Sequence, residues 1–391
     1  MTQPLSGLRV IDFTQVMLGP CATQTLGDYG ADVIKIERIG AGDLSRTAIE
    51  DPAGMRNPVF CSLNRNKRSI ALDLKSPAGL EIVRTLAKTA DVAVNNFRAG
   101  VMERMGLGYA TLSEINPRII YAFGTGFGTE GPYAHKGGQD ILAQAMSGVM
   151  MRKCDPSDPV TIYPTALADY SAGMHLVQGI LLALLHRERT GRGQVVAVSL
   201  YDSMLAMQMQ EAAMWLMRDR DFSWGSMPHT GAFETTDGAI VIVGAFKANP
   251  LRDISKALGI DDLSVDDRFS TFERSVRNRT ALHAILRARI ATNSTAHWME
   301  RLEALDLLCS PVRNLGAALA DPQTEINGMI VRAAGDTEPL GLVGSPVHLS
   351  DNGFALRHDP PALGFHGAEI LAEHGYDHAT IERLRTSGVL A

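Results

Sequence analysis

The residues Leu167-Ala168-Asp169-Tyr170-Ser171-Ala172-Gly173 set one carboxylate among small neighbours, directly ahead of the apolar run Met174 to Leu185. A carboxylate in that place admits two roles. It can cap a helix, because an Asp side chain accepts bonds from the free N–H groups of the first turn. It can also be a nucleophile, because a helix N-terminus favours negative charge and a carboxylate can carry a covalent acyl group. Small neighbours suit the second role by letting backbone approach a reacting carbonyl. Other reactive patterns do not occur. None of the four cysteines (Cys21, Cys61, Cys154 and Cys309) forms a C-x-x-C pair, so no metal site and no redox dithiol is expected. His135 and His175 have no partner spacing, and Ser171 and Ser199 lack a G-x-S-x-G setting.

The cations say what such a carboxylate could meet. Arg38 and Arg98 lie just beyond the C-terminal ends of predicted strands, and Lys75 and Arg104 accompany them. That edge of an open α/β sheet is where ligands bind, and cations along it suit phosphates. Gly126 to Gly131 fits G-x-G-x-x-G, but Pro132, Tyr133 and His135-Lys136-Gly137-Gly138 follow in place of an apolar helix. It reads as a mobile glycine-rich turn rather than a dinucleotide fingerprint. Asn64-Arg65-Asn66-Lys67-Arg68 reads as a solvated basic loop.

These residues need a frame. Apolar runs at Leu8 to Phe13, Asp32 to Glu37, Asp91 to Asn95, Arg118 to Phe123 and Gln194 to Leu200 predict five strands separated by helices. One helix opens at Gly19-Pro20, and Pro77 to Ala90 has helical spacing. Strands alternating with helices imply a parallel sheet covered on both faces. After about Met217 the pattern changes. Gly231 to Phe246 predicts an antiparallel hairpin turning at Asp237-Gly238, with helices over Leu251 to Leu258, Ser275 to Thr292 and Ser294 to Leu305. The expected fold is α/β. Residues 1–220 form a large Rossmann-like domain, 221–325 a small α+β domain, and 326–391 return to the large one with short strands and a helix near Ala368 to His374.

Hydrophobic residues make up 45% of the 391 and charged residues 20%, a globular composition, and the net charge of −6 argues against nucleic acid as the main partner. The run Val177 to Leu185 is too short to span a bilayer, and the stretch MTQPLSGLRVIDF lacks the parts of a signal peptide. A cytoplasmic protein with no membrane contact is expected.

With these residues in place, the chain resembles the class III coenzyme A transferases. This is the family of formyl-CoA transferase and crotonobetaine/carnitine CoA-transferase, with α-methylacyl-CoA racemase as a relative. The likeness rests on LSGLRVIDFTQVMLGP at 5–20, GADVIKIERIGAGD at 30–43, NRNKRSIALDLKSPAG at 64–79, ADVAVNNFRAGVMERMGLGY at 90–109, INPRIIYAFGTGFG at 115–128 and LADYSAGMHLVQGILLALLHRERTGRGQVVAVSLYDS at 167–203.

The resemblance implies that Asp169 is the nucleophile. It implies that coenzyme A, as a substrate rather than a resident cofactor, lies along Val16, Met17, Leu18, Arg38, Leu72, Asp73, Leu74, Lys75, Asn96, Phe97, Arg98 and Arg104. It places Gln15, Gln139, Asp140 and Lys247 on the side of the carboxylic acid substrates. It also implies an interlocked-ring homodimer. Two departures narrow the activity. Gln139 and Lys247 stand where the racemases carry a histidine and a glutamate, so two-base proton exchange lacks its bases. The glycine run of formyl-CoA transferase is replaced by Pro228-His229-Thr230-Gly231-Ala232, and Met17 stands in place of its glutamine.

The expected activity is therefore CoA transfer between two carboxylic acids, one of them a short dicarboxylate. An acyl-CoA racemase and a non-catalytic acyl-CoA-binding protein are the rivals. Proton exchange at Cα separates the racemase from the transferase, and an aspartyl adduct separates either enzyme from the binding protein. For the distal carboxylate, Lys247 and the Arg65 to Arg68 loop are the candidate cations.

Overall fold

The computed structural model of the chain describes residues 2–51, 54–155, 157–334 and 339–391. Six strands form one sheet: β1 (Arg9–Asp12), β2 (Asp32–Arg38), β3 (Lys67–Leu72), β4 (Val92–Asn95), β5 (Ile120–Thr125) and β6 (Val195–Ser199). Every neighbouring pair is parallel, in the order β3-β2-β1-β4-β5-β6. That is the doubly wound order, in which the chain reverses direction across the sheet between β1 and β4.

Successive residues serve opposite faces. Val10, Val33, Val92 and Ile120 pack on one side with Leu18, Leu26, Leu176 and Ile180 from two helices. Ile11, Ile34, Ala93 and Tyr121 pack on the other with Ile82, Leu86, Ile370 and Leu371. Burial on both faces is why these strands read as continuous apolar runs.

β3 corrects the sequence reading. The expected basic loop leads into a strand whose six residues are all buried. Its cations are paired: Arg65 with Asp28 at 2.7 Å, Lys67 with Asp12 at 3.0 Å, and Arg68 with Asp32 at 2.8 Å and Glu373 at 2.7 Å. Removed from water and neutralised in place, they are no longer free to meet a substrate carboxylate.

The helix Leu167–Thr190 runs 24 residues, well beyond its most apolar stretch. By length and composition it is the one helix among the described residues that could cross a membrane. Its stripe Ala168, Ala172, Leu176, Ile180 and Ala183 is instead buried in the sheet core.

The chain divides into two compact units, residues 1–150, 162–208 and 322–391, and residues 151–161 and 209–321. The second carries the antiparallel strands β7 (Thr230–Glu234), β8 (Ala239–Val243) and β9 (Leu308–Pro311). The predicted hairpin is present, with Thr235 N–H donating to Gly238 O at 2.9 Å. β9 was not predicted. The single helix expected over Ser275 to Thr292 is two, Phe272–Arg277 and Arg279–Ile290, separated at Asn278. Helix Thr295–Glu303 buries Trp298, whose Nε1 donates to Ile290 O at 2.7 Å.

Residues 322–391 complete the first unit. They supply a ribbon, β10 (Ile330–Ala333) and β11 (Leu340–Val343), and two helices, Gly367–Glu373 and the unpredicted His378–Thr386. They also cover the edge of β3, where Leu72 and Leu390 form an antiparallel bridge and Asp73 N–H donates to Val389 O at 3.0 Å.

Candidate active site

The loops that leave β1 and β4 meet at the reversal point. Asn96 clips the first of them on both sides: its Oδ1 accepts from Gln15 N–H at 2.9 Å, and its Nδ2 donates to Gln15 O at 2.8 Å. Around this junction lies a cleft of about 400 Å³. Its walls are Gln15 to Leu18, Asn96 to Arg98, Gly124 to Gly126, Lys136 to Gln139, and Asp169. Glycine is required in one wall. A Cβ on Gly126 would fall 2.4 Å from Gly138 Cα, so the two backbones touch and the 136–139 strap lies flat on the end of β5.

Asp169 is not the helix cap. The cap position is Ala166, and Asp169 is in the first turn. The free N–H groups of Ala168 and Asp169 donate instead to Asp140 Oδ1, at 2.7 and 3.0 Å. Asp140 is itself buried, with Gln144 Nε2 donating to its Oδ2 at 2.6 Å. Capping therefore falls to a residue from another segment, and the Asp169 carboxyl is left for the cleft. Burial pushes that carboxyl up to about 6, the Asp140 charge adds to the rise, and a backbone hydrogen bond from Leu18 pulls the other way. The Leu18 N–H is the first of helix Leu18–Asp28, so the positive end of a second helix also faces the carboxylate. The two helices approach closely because the position opposite Leu18 O and Cys21 is Gly173.

The turn before Leu18 is strained. Val16 has φ of +64°, the one β-branched residue in the left-handed region among the described residues. Such a conformation costs roughly 1–3 kcal/mol and persists only where its surroundings impose it.

Of the residues expected at the site, the structure gathers Gln15, Val16, Met17, Leu18, Asn96, Phe97, Arg98, Gln139 and Asp169 around one cleft. Arg38 is exposed at the end of β2, and Leu72 is buried at the end of β3. Lys75 follows in a turn closed by its N–H to Asp73 Oδ1 at 3.0 Å, with Leu74 half-buried between them. Arg104 is exposed beside Gly100. These line the same sheet edge but not the cleft. Asp140, expected beside the substrate, sits beneath the helix start instead, where the unsatisfied N–H groups hold a carboxylate best. Lys247 belongs to the second unit, where its Nζ donates to Leu305 O at 2.8 Å and lies 3.3 Å from Asp306. Lys136 lines the cleft and was missed; its Nζ lies 4.5 Å from the Tyr133 ring centre. The paired glycines beside it were the available signal. No cluster of metal-ligating side chains occurs among the described residues.

A doubly wound sheet with a carboxylate and cations in a cleft at its reversal point defines an α/β protein whose ligand site is where such sheets place one. The model for CoA-transferase family III matches residues 5–367, and the chain belongs to that family as a class III CoA-transferase. It is 37% identical to the succinyl-CoA:glutarate CoA-transferase of Mus musculus, over 99% of this chain and 90% of the relative. It is 32% identical to the formyl-CoA:oxalate CoA-transferase of Escherichia coli O157:H7, over 98% and 99%. A CAIB/BAIF family protein from Brucella suis superposes with a TM-score of 0.86 at 33% identity, covering 96% of this chain and 100% of that one.

Proposed function

We propose that this chain moves coenzyme A from an acyl-CoA thioester to a free carboxylic acid, with Asp169 as the nucleophile. The observation that carries the reading is the Asp169 carboxyl: lining the cleft, relieved of capping by Asp140, and ionised above about pH 6. The ionised carboxylate attacks the thioester carbonyl and expels CoA thiolate, leaving a mixed anhydride. The thiolate then attacks the aspartyl carbonyl, releasing the first acid as its carboxylate and forming an aspartyl-CoA thioester. An incoming carboxylate attacks that thioester, expelling thiolate and forming a second anhydride. Thiolate attack on the incoming acid's carbonyl completes transfer and restores Asp169. Each step exchanges one acyl bond for another, so orientation and exclusion of water are what the protein supplies.

Short dicarboxylates are the proposed acids. Two of the relatives act on glutarate and on oxalate by name. Lys136 and Arg98 in the cleft walls supply cations for carboxylate or phosphate. Gln139 beside Asp169 offers no proton-transfer base, which favours transfer over racemisation. The working form is proposed to be an interlocked homodimer in the cytoplasm.

Intact-mass analysis with succinyl-CoA tests the chemistry. A hydroxylamine-sensitive adduct on Asp169, and loss of transfer to added glutarate in Asp169→Ala, are expected. An adduct at another residue, or substantial activity in Asp169→Ala, would refute the reading.

A further inference from the structure

The strained turn at Val16 is held by buried charge. Asp43 Oδ1 accepts from Val16 N–H at 3.0 Å and from Ser45 N–H and Oγ, both at 2.8 Å. Asp43 Oδ2 is 2.8 Å from Lys35 Nζ, and that ammonium also donates to Thr14 O at 2.8 Å. Both side chains are fully buried. On the other side Asp12 Oδ1 accepts from Thr14 N–H at 2.8 Å, and Asn96 clips Gln15. Each peptide unit entering Val16 is thus fixed by a side chain from another strand or loop. Two residues further on, Leu18 lines the cleft together with Asp169.

A buried ion pair is a poor way to gain stability, since desolvation offsets most of its attraction. Its use here is geometric. A valine does not adopt positive φ unless something holds it there, whereas glycine does so freely.

We propose that Asp43, braced by Lys35, is a positioning residue for the transfer reaction: it holds Val16 in the left-handed conformation that sets Met17 and Leu18 in the cleft wall shared with Asp169. The inference rests on Asp169 being the nucleophile. It assigns Asp43 no contact with substrate, only with the turn.

The test measures aspartyl adduct formation in a single turnover with succinyl-CoA, together with steady-state kcat and KM. Asp43→Ala is expected to slow adduct formation and lower kcat about ten- to a hundredfold, with KM for the acyl-CoA within about threefold. Adding Val16→Gly to Asp43→Ala is expected to recover at least about tenfold of that loss, because glycine takes the turn without its brace. A merely structural role for Asp43 gives no such recovery. Should Asp43→Ala not fold, Asp43→Asn allows the same comparison, because its amide must turn a donor toward either Lys35 or Val16. An unchanged adduct rate in the Asp43 variant, or a folded double variant with no recovery, overturns the positioning role alone. Absence of any Asp169 adduct in the unaltered protein overturns the nucleophile and this inference with it.

Discussion

Asp169 carries a carboxyl that ionises near pH 6 in the folded chain, against 3.8 for an ordinary aspartate. Two consequences follow at the scale of this one residue. As the proposed nucleophile it must be ionised, so kcat/KM for the acyl-CoA should fall as pH drops through about 6. Stability should run the other way. Between the unfolded value near 4 and the folded value near 6, the unfolded chain binds fewer protons, so stability falls as pH rises across that window and is level above it. Removing the charge should therefore stabilise the protein. Asp169→Asn is expected to gain about 1–3 kcal/mol at pH 7.5, a gain that disappears by pH 4. Urea melts at the two pH values check this, and an equal effect at both would contradict it. In the sequence the small residues around Asp169 leave both cap and nucleophile open, and the family resemblance selects the nucleophile; that it does not cap the helix is seen only in the structure. That freedom from capping is hidden because the residue that takes over, Asp140, lies 29 residues earlier, and nothing in the sequence says which of the many carboxylates will reach the helix start.

Among the elements, β1, β2, β4 and β5 are legible because a parallel strand buried on both faces places Val, Ile and Ala at successive positions, and the edge strand β6 by its run of β-branched valines. β3 is hidden because Lys67-Arg68 opens it, and the acids that neutralise those cations lie as far as 305 residues away. The helix His378–Thr386 is hidden for a related reason: among the described residues of its apolar face, Ile381 alone is deeply buried. β3 predicts a cost. Lys67 is wholly buried against Asp12, whose carboxyl is held down at about 2: burial raises it, but the Lys67 and Lys35 charges and the Thr14 and Thr23 hydroxyls outweigh that. Lys67→Met leaves Asp12 buried without its nearest counter-charge and should lose about 3–5 kcal/mol in urea unfolding. Asp12→Asn in the same chain should recover most of the loss. A double variant as unstable as Lys67→Met would show that packing, not charge, is what Lys67 provides.

At the scale of the whole molecule, the single chain leaves much apolar surface in water. Helix Met209–Arg218 buries none of its residues, and Leu216 and Met217 are 84% and 70% exposed. On the outer side of the long helix, Leu182 and Leu185 are 67% and 63% exposed. The proposed homodimer would cover surfaces of this kind, with an interface in the obligate size class. Analytical ultracentrifugation under serial dilution should then find dimer throughout; a stable, active monomer at nanomolar concentration would exclude interlocking. The covered edge of β3 has a consequence of another kind, for the order in which the protein can be made. The strand that completes the sheet is bridged by Leu390, and Arg357 donates to Gly27 O and Ala31 O from more than 320 residues away. The first unit cannot close while its sequence is still emerging from the ribosome. Its β3 edge stays bare, an open template for stray pairing, until synthesis has passed through the whole of the second unit. Contacts of such sequence separation make folding slow, so that edge stays uncovered for at least as long as it takes to translate the intervening residues.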